Sequence, residues 1–190
     1  RLACCQQLFL NGNEIGDEGA SALGRALSAG AMANVEYLWL GDNQIGDAGV
    51  SALAAAIRRG ALAHLLELSL SRNRIGDEGV SALAVALATL PGGLPRCQGL
   101  YLNENRIGDA GMRRFSEAIA MGVLPVLHAD FAFLSDNPGS DAPAKMEFHH
   151  RTERAAHECG GSIERYHERW GGVLPPSSLA RSPNSSRRSV

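Results

Sequence analysis

The chain has 190 residues, a formal net charge of −2 and only 5% aromatic residues. No run approaches the roughly 18 consecutive apolar residues of a membrane span, and the near-balanced charge argues against a generic polyanion binder. Ala (28), Leu (24) and Gly (22) dominate, so a core must be built from small and branched aliphatic side chains.

The chain opens on RLACCQQLFL, which has neither an initiator Met nor the layout of a signal peptide. This start reads as a fragment or a truncated gene product. The block from Leu8 to Gly19 (LFLNGNEIGDEG) then returns from Leu38, from Leu68 and from Leu100. A worn fifth copy surrounds Asn137. The Asn positions are 13, 43, 73, 105 and 137, so the period is 30 to 32 residues, a span that marks repeat architectures.

Each copy predicts the same elements in the same order. Leu8/Leu10, Leu38/Leu40, Leu68/Leu70 and Leu100/Leu102 alternate with period two, as on one face of a short strand. Three residues before each pair stand Cys5, Val35, Leu65 and Cys97, which fit the same apolar column. Asn13, Asn43, Asn73, Asn105 and Asn137 lie where the chain leaves the strand. An Asn amide offers both donors and an acceptor, so a stacked Asn column suits the backbone of buried turns better than it suits an active-site row. Gly16, Gly46, Gly76 and Gly108 fit a tight turn. Asp17, Asp47, Asp77 and Asp109 then stand where a helix N-cap is wanted. Ala22-Leu23 with Ala26-Leu27 and the equivalents in the next two copies place apolar pairs four apart, on one helical face. Gly30 and Gly60 fit helix stops. Pro91-Gly92-Gly93-Leu94-Pro95 and Met121-Gly122-Val123-Leu124-Pro125 end the next two helices.

The pattern L-x-L-x-x-N-x-I-G-D-x-G-x-x-A-L, complete in four copies except that Arg114-Phe115 replaces the final Ala-Leu in the fourth, resembles the leucine-rich repeat family in its long, ribonuclease-inhibitor-like form. Similar repeats occur in Ran GTPase-activating proteins and NOD-like receptors. The resemblance covers roughly residues 5–140. It implies an α/β fold, a right-handed leucine-rich-repeat solenoid shaped as a horseshoe arc. A parallel sheet would line the concave face and helices the convex face.

In the fifth copy the Asn137 anchor puts Ala132 and Leu134 in the core strand, whereas counting forward from the preceding helix favours Leu127. The Asn anchor is preferred. Residues 1–140 thus read as a solenoid of about five repeats. Residues 141–170 have a different composition and read as a helical cap or extension, and residues 171–190 as a disordered tail. His149, His150, His157, Cys159 and His167 match no usual zinc spacing, so no metal site is expected. No cofactor is expected either.

Function is sought in the columns that vary. The residue between the paired leucines points away from the core: Phe9, Trp39, Ser69, Tyr101 and Phe133. The column two residues earlier holds Gln7, Tyr37, Glu67, Gly99 and Phe131. Aromatic side chains on such a face are typical anchors for protein partners, or else stabilise the sheet by cross-strand stacking. Asp42, Arg72 and Glu104, with Arg74 and Arg106, add a mixed-charge rim that suits protein partners better than phosphate backbones. The candidate partner-binding set is therefore Phe9, Tyr37, Trp39, Asp42, Glu67, Arg72, Tyr101, Glu104 and Phe133. Five strands at about 4.8 Å spacing span only about 19 Å. That is narrow for the roughly 800 Å² per partner of a standard interface, so loops or further repeats would contribute.

These readings predict a non-enzymatic scaffold that binds a protein partner on the concave face. No phosphate loop, nucleophile–base arrangement or ligand cluster points to an enzyme. A Ran-type GTPase-activating or other GTPase-regulatory protein is the alternative that the resemblance implies. Neither nucleic acid nor membrane is expected as a partner. A monomer, or part of a longer repeat array, in the cytoplasm is the expected state, with its four Cys reduced.

Overall fold

The computed structural model describes residues 5–89, 94–120 and 132–139. Strands and helices alternate: β1 (Gln7–Phe9), α1 (Asp17–Ser28), β2 (Tyr37–Trp39), α2 (Asp47–Arg58), β3 (Glu67–Ser69), α3 (Asp77–Thr89), β4 (Gly99–Tyr101), α4 (Asp109–Ala120) and β5 (Ala132–Phe133). The five strands form one parallel sheet in chain order. Each residue pairs with its equivalent one repeat on: Leu8 with Leu38, Leu38 with Leu68, Leu68 with Leu100 and Leu100 with Ala132. The last pairing places the fifth rung by its Asn137, as the anchor predicts. Residue 127, the rival entry point, lies outside the described residues, as do residues 141–170, residues 171–190 and the His and Cys positions within them.

One apolar seam runs between sheet and helices. Val35, Leu38, Leu40, Ile45, Leu65, Ile75, Cys97, Leu102 and Ile107 are fully closed off from solvent. Burying each such Leu or Ile stabilises by about 1.5–3 kcal/mol, and dispersion across so regular a stack adds to this. The helices meet the core differently from the sequence expectation. Leu53, Ala54, Ala56 and Ile57 are buried, while Ala52 is half-buried and Ala22 exposed. The small side of the helix therefore faces the neighbouring helix. A Cβ at Gly24 would come within 2.8 Å of the Ala52 carbonyl oxygen, so Gly24 lets α1 pack directly on the backbone of α2. Helices pack at about 8–10 Å and strands at about 4.8 Å. Stacking both in one register bends the array toward the sheet, which becomes the concave side.

Gly30 and Gly60 stop their helices. Both adopt left-handed backbone, with φ of 80° and 83°. The Gly30 N–H donates to Leu27 O and the Ala31 N–H to Ala26 O, with the equivalent pair at Gly60 and Ala61. These are the two bonds that close a helix C-terminus around a left-handed residue.

The Asn column joins one rung to the next. Asn73 Nδ2 donates to Leu40 O of the preceding rung at 3.0 Å, and to Leu70 O and Ser71 O of its own at 3.1 Å. Its Oδ1 accepts from the Ile45 N–H at 2.9 Å. Asn43, Asn105 and Asn137 repeat this pattern, each reaching one rung back. Among the described residues, Asn13 bonds to Leu10 O and Asn11 O, within its own turn.

The Asp column differs from the N-cap expectation. Asp17 and Asp47 stand at the first position inside their helices, the N-caps are Gly16 and Gly46, and neither cap makes a side-chain capping bond. The carboxylates reach forward instead. Asp17 Oδ1 accepts from Gly46 N–H at 2.7 Å and from Gly49 N–H at 2.9 Å, at the start of the next helix. Asp47 does the same for Gly76 and Gly79, and Asp77 for Gly108 and Gly111. Each carboxylate thus satisfies free amide groups of the following helix and opposes its positive end. Asp109, at the start of α4, is exposed.

This clamp explains the glycines of the I-G-D-x-G motif. A Cβ at Gly49, Gly79 or Gly111 would come within 2.6–2.7 Å of the preceding Asp Oδ1. At Gly46, Gly76 and Gly108 a Cβ would come within 3.0–3.2 Å of the preceding Asp Oδ2, whereas at the equivalent Gly16, which follows no described Asp, it meets nothing within 4 Å; at Gly19 the close neighbour is Ile15 Cγ2 at 2.9 Å.

Candidate functional site

With the leucines, Asn and Asp engaged in the seam, the outward columns of the strands are left facing away from the helices. Phe9 is 51% exposed. Tyr37, Trp39, Glu67 and Tyr101 are half-buried, and Asp42, Arg72 and Glu104 are exposed. The register sets Phe133 beside Tyr101 on the last rung. Phe131 lies outside the described residues.

The half-burial of the aromatic residues comes from each other and from Glu67. Phe9 and Trp39 are in register on β1 and β2, and their rings stack with centroids 4.6 Å apart, tilted by 36°. Trp39 Nε1 donates to Glu67 Oε2 at 3.2 Å, across to β3. Tyr37 is the direct strand partner of Glu67 on one side, and Gly99 on the other. Gly99 has no side chain, and the Tyr101 ring takes its place. A Cβ at residue 99 would come within 2.9 Å of Tyr101 Cε2 and 3.1 Å of its hydroxyl oxygen. The ring therefore leans back along β4 toward Glu67. Burial raises the Tyr101 phenol above its ordinary pKa, and the negative charge of Glu67 adds to the rise. Trp39, Glu67 and Tyr101 form one cluster with Tyr37. Cross-strand stacking and solvent exposure coexist on this face.

The rim is a ladder across three rungs. Arg72 Nε donates to Glu104 Oε1 at 2.9 Å. The Arg72 guanidinium is held above its ordinary pKa by that bond and by the Glu104 charge, with a smaller contribution from Asp42. Asp42, Arg72 and Glu104 also share left-handed backbone, with φ of 54–56°, at the position where the first rung has Gly12. Non-glycine residues sit there at a cost of roughly 1 kcal/mol each, held by backbone bonds to the next rung. Inside the rim, Ser71 Oγ donates to Asn103 Oδ1 at 2.6 Å.

Reading the sequence alone missed three features here. Gly99 makes room for Tyr101, and a glycine inside a strand is itself a signal of close approach. The Trp39–Glu67 bond joins residues 28 apart in sequence. The left-handed rim has no residue-type signal beyond Gly12. The Cys column is as expected: Cys97 is buried, its thiol pushed up to about 12 by desolvation, and Cys5 is half-buried.

A shallow groove on the helix side runs over α2 and α3, lined by Ala54, Ala55, Arg58, Ser81 and Val85 among others. Asp77, Glu78 and Arg114 also line it, so the groove combines small apolar side chains with charges of both signs. Among the described residues no His/Cys/Asp/Glu group of three could hold a metal ion, and no helix is long and apolar enough to cross a membrane.

Residues 6–24, 31–54 and 61–84 match the family model described as Leucine Rich repeat. No curated protein gives a significant match to the chain. Repeats of this family are generally protein-interaction modules, and nothing in the match points to catalysis. The structure continues the matched pattern through β4, α4 and β5, with the same register and the same Asn bonds. By its matched repeats and by the parallel α/β stack they build, the described part of the chain is made of leucine-rich repeats.

Proposed function

We propose that the protein is a non-enzymatic interaction scaffold whose concave sheet face binds a protein partner. The observation that carries this reading is the division of labour among columns. The repeating Leu, Asn, Asp and Gly positions are engaged in the stack, whereas the strand positions that vary place Phe9, Tyr37, Trp39, Glu67 and Tyr101 on one outward face. Aromatic side chains of this kind supply large contact area for little conformational entropy. Asp42, Arg72 and Glu104 border the face, and Phe133 extends it on the last rung.

Three further assignments belong to the same reading. The repeats are of the ribonuclease-inhibitor-like kind, supported by a period of 30–32 residues and by a full helix of 12 or 13 residues in each of the first four. The protein acts in the cytoplasm, supported by the free Cys5 and Cys97 thiols. The functional unit is residues 1–140, working as a monomer or within a longer array.

The test is affinity capture with the full chain from its own cells, quantified by mass spectrometry. Replacing Trp39 and Tyr101 together by Ala should deplete the specific partners at least tenfold while far-UV circular dichroism stays unchanged. Equal recovery by the folded double variant would overturn the proposal.

A further inference from the structure

We propose that the sheet face contains a receptor for a positively charged side chain, Arg or Lys, presented by the protein partner. Its walls are Tyr37, Trp39, Glu67 and Tyr101. This inference rests on the reading of the sheet face as the binding surface and names the chemistry that the face selects.

Glu67 is the centre. It lies on the middle strand, with Tyr37 as its neighbour in register on β2 and Gly99 on β4. The indole of Trp39 reaches it from the adjacent rung, and the Tyr101 ring fills the space over Gly99. A carboxylate is thus set among three aromatic rings, half-shielded from water and open on the side away from the helices. A carboxylate accepts about four hydrogen bonds, and the indole N–H takes one of these sites, which leaves room for a guanidinium or ammonium group. Aromatic faces attract the same cations, more strongly where water is partly excluded.

The rim around Glu67 carries both signs of charge. The nearby rim carries two carboxylates, Asp42 and Glu104, and one guanidinium, Arg72, which is already bonded to Glu104. The other ion pair among the described residues, Arg114–Glu117, lies within α4, so neither pair uses Glu67. Arg74 and Arg106 are exposed on the same rungs, so the negative charge that marks this spot is that of Glu67 itself. An incoming cation would find both the charge and the rings.

The experiment uses the isotopically labelled full chain and follows the Trp39 indole Nε1–H resonance. The chain has two Trp, so the variant Trp170→Phe assigns the signal. The probes are N-acetyl-arginine methylamide and its lysine analogue, with the neutral N-acetyl-citrulline methylamide as control. Saturable shifts at millimolar concentration with the cations, at least tenfold weaker with citrulline, are expected. Glu67→Gln should weaken the arginine response at least fivefold with its circular dichroism unchanged. A citrulline response equal to that of arginine, no saturable shift, or an unaltered response in folded Glu67→Gln would overturn the proposal. The first two readouts need no variant. If they fail while Trp39 and Tyr101 replacement still abolishes partner capture, only this inference falls. If capture survives that replacement, the sheet-face reading falls with it.

Discussion

Asn13 and Asn73 occupy the same place in the same twelve-residue motif, yet Asn73 is 8% exposed and Asn13 lies in solvent. Among the described residues, Asn73 bonds to two rungs, Asn13 to its own turn. The leucines show the same contrast. Leu68 and Leu70 are closed off, while Leu8 and Leu10 on the first rung are half-buried. The motif is identical, so the difference is made by what stacks on it. The stabilising value of a constant residue therefore resides between repeats rather than within one. The outward sheet columns also make contacts between rungs, as Phe9 with Trp39 and Trp39 with Glu67, but their residue types vary from rung to rung.

Breaking the comparison in the core gives the largest expected effect. Leu70→Ala should destabilise by about 3–5 kcal/mol, because the neighbouring rungs hold the cavity open. Leu10→Ala should cost about 1–2 kcal/mol, since its site is already partly wet and can relax. Urea unfolding followed by circular dichroism measures both, and similar costs would count against the comparison.

The glycine turn offers a finer contrast. Gly76→Ala places a Cβ 3.0 Å from Asp47 Oδ2 and should cost about 1–2 kcal/mol through strain on the clamp. Gly16→Ala meets no atom and has an extended backbone at φ −96°, ψ −166°, open to any residue. It should be neutral, or stabilise by about 0.5 kcal/mol by restricting the unfolded chain. A thermal melt of each variant decides the order.

The smallest effect is chemical rather than structural. At pH 8, iodoacetamide should modify half-buried Cys5 at least tenfold faster than Cys97, as read by peptide mapping. The Cys97 thiol is pushed up from 9.0 to about 12 in the folded chain. Its contribution to stability is therefore complete below pH 9 and is lost as pH rises from 9 through 12. Cys97→Val, with the residue that the second rung carries at Val35, should remove this alkaline loss.

The solenoid was legible in the sequence because its signals are local and repeat: leucine alternation, Asn after the strand, glycine after the helix. The fifth rung was legible for the same reason, through Asn137 alone. The Asp column was misplaced because the partners of Asp17 are 29 and 32 residues away, on the next helix, where no rule about one helix would look. The helix face was partly misjudged, since Ala54 and Gly24 answer to a neighbouring helix as well as to the sheet. On the candidate site, the aromatic columns were legible from period two. Their assembly around Glu67 was not, because it depends on side chains crossing between strands and on an empty position at Gly99.

The most direct test of the account is the unfolding free energy of Asn73→Ala beside that of Asn13→Ala in the full chain. Asn73→Ala leaves the Ile45 amide and the Leu40 and Leu70 carbonyls without their partner inside the seam. It should cost about 3–5 kcal/mol. Asn13→Ala breaks bonds that water can replace and should cost under about 1 kcal/mol. Equal costs would contradict the claim that these motifs stabilise the protein by stacking.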